Sequence, residues 1–305
     1  MPASSVNLRA RDGLRLTVEA RGDSHAPALV FAHGFGQTRH AWDASASELA
    51  AADGWYCLTA DARGHGDSGW RVDGDYDFTQ FVDDLVLLAR HAAQPPAPAL
   101  PILIGASMGG LLGLIAQAGH ATSEPAPFRA LILVDITPRW ESAGVERILT
   151  FMRAHPQGFA TVDEAADAIA HYLPHRTQRS RTELGRPDRL RRMLVAHPDG
   201  RLRWHWDPRL LDRIAADSER QQTHLLDAAR RIRVPTLLVS GESSDIVSDS
   251  TIEEFLHCVP HAEHVRVARA THMIVGDRND AFTTAVRQFI QPLRDSGASA
   301  SRSTT

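Results

Sequence analysis

The chain of 305 residues contains no lysine, so all 33 of its basic residues are arginine. Schiff-base catalysis, a pyridoxal-phosphate anchor and the P-loop all require a lysine, and all three are excluded. Two cysteines, Cys57 and Cys258, are too few for a disulfide framework, and neither stands in a Cys-x-x-Cys pair. Both read as small buried groups. No run of about 18 apolar residues occurs anywhere, which excludes a membrane-spanning helix. Met1 to Arg11 lacks the apolar centre of a secretory leader, so the expected location is cytoplasmic. Positive charge is not in excess either: 37 acidic residues leave a formal net charge of −4. That balance supplies no broad field for nucleic acid or an anionic membrane, and a small-molecule partner is expected.

What is present is an ordinary globular composition, 43% hydrophobic and 23% charged, enough to bury a core. Short apolar runs alternate with longer amphipathic ones, the pattern of a mostly parallel, doubly wound α/β sheet with covering helices. Val6 to Ala10 and Leu14 to Ala20 flank the Asp12-Gly13 turn and predict a hairpin. Further strands are predicted at Ala28–Ala32, Tyr56–Ala60, Pro101–Ile104, Ala130–Val134, Thr236–Ser240 and His264–Val267. Helices are predicted at Thr38–Ala51, Phe78–His91, Met108–Gly119, Asp249–Cys258 and Asp280–Leu293. Residues 136–231 break this alternation with Arg- and His-rich helical patterns and no convincing buried strand. They read as a helical cap inserted into a core of residues 1–135 and 232–295. The small polar tail, 296–305, reads as disordered.

Ile102-Leu103-Ile104-Gly105-Ala106-Ser107-Met108-Gly109-Gly110 is an apolar strand, a Gly-x-Ser-x-Gly turn and the start of a helix. A serine on so sharp a turn needs small neighbours, and Gly105 and Gly109 supply the space. The helix aims its positive N-terminal end at the place where an oxyanion would form. Leu29-Val30-Phe31-Ala32 runs into His33-Gly34-Phe35-Gly36, an oxyanion-loop pattern. The expected donors are the backbone N–H groups of Phe35 and Met108. His33 reads as a structural loop residue rather than a base. Asp245 follows the strand Thr236–Ser240 and His272 follows His264–Val267, giving the order Ser107, Asp245, His272 on loops after strands. His272 would take the proton of Ser107, and Asp245 would hold the imidazole in its useful tautomer. Asp135, at the end of Ala130–Val134, is the alternative acid, ranked below Asp245.

With these motifs, and with Asp61-Ala62-Arg63-Gly64-His65-Gly66-Asp67-Ser68, the chain resembles the cap-bearing α/β-hydrolase superfamily. The resemblance covers Val6 to Asp135 and Val234 to Leu293. It implies the α/β-hydrolase fold, a serine triad and no cofactor, and it fixes mechanism better than substrate. Within it the chain is expected to cleave small to medium, fairly apolar carboxylic esters. The same triad also supports cofactor-free perhydrolase (haloperoxidase-like) or C–C bond hydrolase activity, and the fold can serve as a non-catalytic ligand receptor. A serine at the elbow argues against epoxide hydrolase and haloalkane dehalogenase, which need a carboxylate nucleophile.

Two other patterns carry less. Gly64-His65-Gly66-Asp67-Ser68-Gly69 spells a dinucleotide fingerprint, but no helix opens after it, so a tight turn beside the active site is the better account. His171/His175 and His257/His261 have metal-ligand spacing, yet Pro174 and Pro260 interrupt the helices they would need; no metal site is expected. In the insertion, Trp204-His205-Trp206 reads as cap packing or pocket lining, with Trp204 and Trp206 expected to share a pocket wall if the segment is extended.

Overall fold

In the computed structural model, residues 3–119, 126–172, 190, 193–211, 218–268, 270 and 280–296 are described. Ten strands are found there: β1 (Ser4–Arg9), β2 (Arg15–Arg21), β3 (Ala28–Ala32), β4 (Tyr56–Ala60), β5 (Ile102–Ala106), β6 (Ala130–Val134), β7 (Leu194–Ala196), β8 (Leu202–Trp204), β9 (Thr236–Gly241) and β10 (Glu263–Val267). The helices are α1 (Asp43–Asp53), α2 (Phe78–Ala92), α3 (Met108–Gly119), α4 (Ser142–Arg153), α5 (Val162–Tyr172), α6 (Ser218–Ala229), α7 (Asp249–Cys258) and α8 (Asp280–Ser296).

Eight strands form one sheet in the order β1-β2-β4-β3-β5-β6-β9-β10. The pairs β1–β2 and β2–β4 are antiparallel and the rest are parallel. The central strands are continuous apolar runs because both of their faces are covered. Side chains alternate between those faces. Val30, Leu58, Leu103, Leu131 and Leu238 pack in the layer that holds α2, α3, α6 and α7. Leu29, Phe31, Ile102, Ile104, Ile132 and Val239 pack in the opposite layer with α1 and α8. Parallel pairing aligns the C-terminal ends of β3, β5, β6 and β9, and in such sheets that edge is where ligands bind.

Two predicted elements differ in form. The helix expected from Thr38 begins as a 3-10 turn, Arg39–Trp42, before α1. The Arg39 backbone N–H donates to Asp61 Oδ1 at 2.7 Å and its guanidinium pairs with the other carboxylate oxygen, so the chain is drawn onto the β4 loop there. The insertion contains the hairpin β7–β8, closed around the Pro198-Asp199-Gly200 turn with Gly200 at φ 80°. Strands of three residues are too short to display a period of two, and only the turn chemistry signalled them. The last helix of the insertion, α6, packs on α3, with Leu225, Leu226, Ala228 and Ala229 in the same apolar layer as the sheet. Phe159, Ala165, Ile169, Leu194, Trp204, Trp206 and Leu211 form a separate, smaller cluster belonging to the insertion.

Candidate active site

Ser107 sits between β5 and α3 at φ 47°, a left-handed conformation that costs a non-glycine residue of order 1–3 kcal/mol. Close packing enforces the turn. A Cβ on Gly105 would come within 2.6 Å of Gly109 O, and one on Gly109 within 2.4 Å of Ala32 O. The bend thus presses against the end of β3, where the loop from His33 to Gly36 begins. A Cβ on Gly34 would meet Ser107 Cβ at 3.1 Å. Phe35 and Met108 flank this contact from the two segments, and both are partly exposed. Among the described residues neither donates its backbone N–H to another group. For Met108 this follows from its place in the first turn of α3, where N–H groups have no helical acceptor.

The loop from His33 to Gly36 is bound on its inner side by two buried histidines. His33 Nδ1 lies 2.8 Å from Gly34 O, and its Nε2 accepts the Ala62 N–H at 2.9 Å. His65 Nε2 accepts the Gly36 N–H at 3.2 Å, and its Nδ1 lies 3.0 Å from Arg63 O. In each ring one nitrogen faces a carbonyl and the other an N–H donor, which assigns both as neutral Nδ1–H tautomers. A third histidine, His205 of the insertion, accepts the Gly66 N–H through Nδ1 at 3.0 Å. Burial pushes all three below the ordinary imidazole range, His65 strongly and His205 down to about 4; in His33 the carboxylate of Asp61 works against this. Asp61 itself is held by Arg39 and by the Asp67 N–H at 2.9 Å.

The two candidate acids occupy different surroundings. Asp135 is 1% exposed and sits at φ 49° directly after β6. It is the neighbour of Ser107 across the sheet, since Ala106 pairs with Val134 and the Ser107 N–H donates to Val134 O at 3.0 Å. Its carboxylate accepts the Gly241 N–H and the Ser244 hydroxyl, each at 2.7 Å, so the loop after β9 is folded onto it. Asp245 lies on that same loop, but its side chain is 36% exposed and pairs with Arg147 of α4 at 2.8 Å. His272, expected to be the base, lies outside the described residues, as do His175 and the tail from 297.

Trp204 and Trp206 also part company. Trp204 stacks edge-on to Phe159 at 5.0 Å and against Phe151 at 5.9 Å, inside the insertion. Trp206 reaches the core, 5.5 Å from the Phe35 ring. Met152 of α4 joins it, its methyl lying 2.1 Å from where a Cβ on Gly36 would be. The insertion is thus seated on the loop from His33 to Gly36. In the sequence His65 is legible only as part of a tight turn and His205 only as a member of the Trp204-His205-Trp206 segment, while Met152 carries no local signal. Among the described residues, no three His, Cys, Asp or Glu side chains converge to hold a metal ion, and no helix is long and apolar enough to cross a membrane.

The strand order, the serine at a strand-to-helix elbow and the adjacent glycine loop define an α/β-hydrolase. The sequence model described as serine aminopeptidase, S33, matches residues 23–279. The chain belongs to that family and is a hydrolase. An esterase of Mycobacterium tuberculosis is 30% identical over 278 residues, covering 88% of this chain and 84% of its own. A 3-hydroxybutyrate-oligomer hydrolase of Cupriavidus necator is 28% identical, with 85% and 87% covered. Among solved structures, an E-2-(acetamidomethylene)succinate hydrolase superposes with a TM-score of 0.76 at 24% identity, covering 94% of this chain and all of its own.

Proposed function

We propose that the chain hydrolyses small to medium carboxylic esters through an acyl-enzyme on Ser107. The observation that carries this reading is the strained Ser107 with the Phe35 and Met108 N–H groups nearby, neither of which donates to another group among the described residues. Ser107 Oγ adds to the ester carbonyl as His272 takes its proton. The tetrahedral oxyanion is held by the Phe35 and Met108 N–H groups, each worth about 3 kcal/mol in comparable sites. Collapse expels the alcohol, which receives the proton from His272. Water then gives a proton to His272 and adds to the acyl carbon; the second collapse releases the carboxylic acid and restores Ser107. The family name points to peptides, but the relatives include an esterase and a 3-hydroxybutyrate-oligomer hydrolase. The apolar surface formed by Phe35, Met152 and Trp206 suits an uncharged acyl chain.

As the acid that orients His272, Asp135 is preferred to Asp245. It is buried, strained, next to Ser107 and held by two donors, whereas the Asp245 carboxylate is half-exposed and engaged by an arginine. A fluorophosphonate probe and a panel of p-nitrophenyl esters test the reading. The wild type should be labelled at Ser107 alone, and Ser107→Ala should lose label and about 10⁶-fold in turnover. Labelling elsewhere, or turnover surviving in Ser107→Ala, overturns it.

A further inference from the structure

The peptide planes on either side of Phe35 are each set by a histidine. His33 Nδ1–H and the Gln37 N–H, at 2.8 and 3.1 Å, both donate to Gly34 O and fix the plane between residues 34 and 35. That peptide is trans, so its N–H, the Phe35 donor, points opposite to the carbonyl and away from His33. The next plane is fixed by the bond from the Gly36 N–H to His65 Nε2. The Phe35 ring also stands edge-on to His65, at 5.3 Å and 87°. His65 in turn depends on the insertion. The Asp207 N–H donates to Gly64 O at 2.8 Å, and His205 Nδ1 accepts the Gly66 N–H at 3.0 Å. These two bonds fall on the residues that bracket His65 in the chain. Asp207 is itself tied to the core by the Tyr76 hydroxyl at 2.8 Å.

We propose that His65 is a positioning residue for the Phe35 oxyanion donor, and that the insertion sets it through His205 and Asp207, coupling its docking to the strength of the oxyanion hole. The proposal rests on the reading that Phe35 serves Ser107. It requires His65 to be neutral, because a protonated ring cannot accept the Gly36 N–H. The groups facing it are compatible with that state: His33, His205 and, beyond His33, the Asp61–Arg39 pair.

The test compares kcat and KM for p-nitrophenyl acetate in the wild type, His65→Leu, His65→Gln, His205→Leu and His205→Asn. Glutamine Oε1 can take the place of His65 Nε2, and asparagine Oδ1 that of His205 Nδ1. His65→Leu should lower kcat by about 10²-fold with KM nearly unchanged, the size expected when a reacting contact moves by about 1 Å. His205→Leu should lower it by about 10-fold, as an indirect contact one step removed. The Gln and Asn variants should recover most of the loss. Binding of a trifluoromethyl ketone, whose adduct places an oxyanion in the hole, should weaken in parallel with kcat/KM. A lowered melting temperature with kcat unchanged overturns the proposal, as does a Gln or Asn variant no better than its Leu counterpart. If the Leu variants do not fold, the Gln and Asn variants decide alone, activity near wild type supporting the proposal and a 30-fold loss or more overturning it. A wild type inactive on every ester would instead refute the serine-hydrolase reading.

Discussion

The sheet core and the insertion are held together by different means. In the core, β3, β5, β6 and β9 are buried on both faces, and whole apolar layers close over them. The described residues of the insertion form a smaller cluster around Phe159 and Trp204, and they meet the core through apolar contacts, Trp206 on Phe35 and Met152 on Gly36, and through polar ones. Arg147 pairs with Asp245, the Tyr76 hydroxyl donates to Asp207, and Arg209 donates to the carbonyls of Arg71 and Val72. Reactive groups need positions fixed to fractions of an ångström, which a sheet buried on two sides supplies. Contacts that shape a pocket tolerate a looser mount, so on the proposed function the insertion is where substrate preference would vary most.

The strongest way to break that division is at the acids, one on a core strand end and one tied to the insertion. Asp135→Asn should cut kcat by about 10⁴-fold, as expected when the histidine tautomer is no longer enforced. Asp245→Asn should change it by less than about 10-fold, because it removes a half-exposed ion pair. Steady-state kinetics on one p-nitrophenyl ester decides between them, and the reverse ranking would return the role to Asp245.

Next in size is a change confined to the insertion. Trp204→Ala empties its cluster and should cost about 3–5 kcal/mol of stability, read as a fall in melting temperature. Its effect on the ratio of specificity constants for short and long esters should be small. A large change in that ratio would place Trp204 against substrate.

Acid should loosen the contact between the two regions. His205 is neutral in the fold down to about pH 4, whereas the unfolded chain takes up its proton near 6.5. Its folded value is the lower of the two, so stability is complete above about pH 6.5 and declines as pH falls from there to about 4. The loss reaches about 3 kcal/mol for this group. His33 and His65 act in the same direction. Thermal melts between pH 7 and pH 4 should show a shallower decline in His205→Asn than in the wild type; parallel curves would remove His205 from this role.

The smallest effect sharpens the comparison at the surface between the regions. Trp206→Ala should shift the preference between acetate and octanoate esters by about 1–3 kcal/mol while leaving fluorophosphonate labelling of Ser107 intact. An unchanged preference would mean that Trp206 braces the Phe35 ring and nothing more.

The sequence by itself determined every strand of the sheet to within two residues, the turn at Ser107 and the glycine loop from His33 to Gly36. Those features are local: an apolar run of five residues, or a glycine where a Cβ would collide, is visible in a short window. The choice between Asp135 and Asp245 was not, because both follow predicted strands. Only the fold brings the Ser244 hydroxyl onto Asp135 across 109 residues and turns Asp245 toward Arg147. The same holds for the two tryptophans, which have similar neighbours in sequence but face opposite partners. It holds most for His65 and His205, joined through Gly66 across 139 residues. A histidine's role is set by which donors and acceptors surround its ring, and that is decided by long-range packing rather than by the residues beside it in the chain.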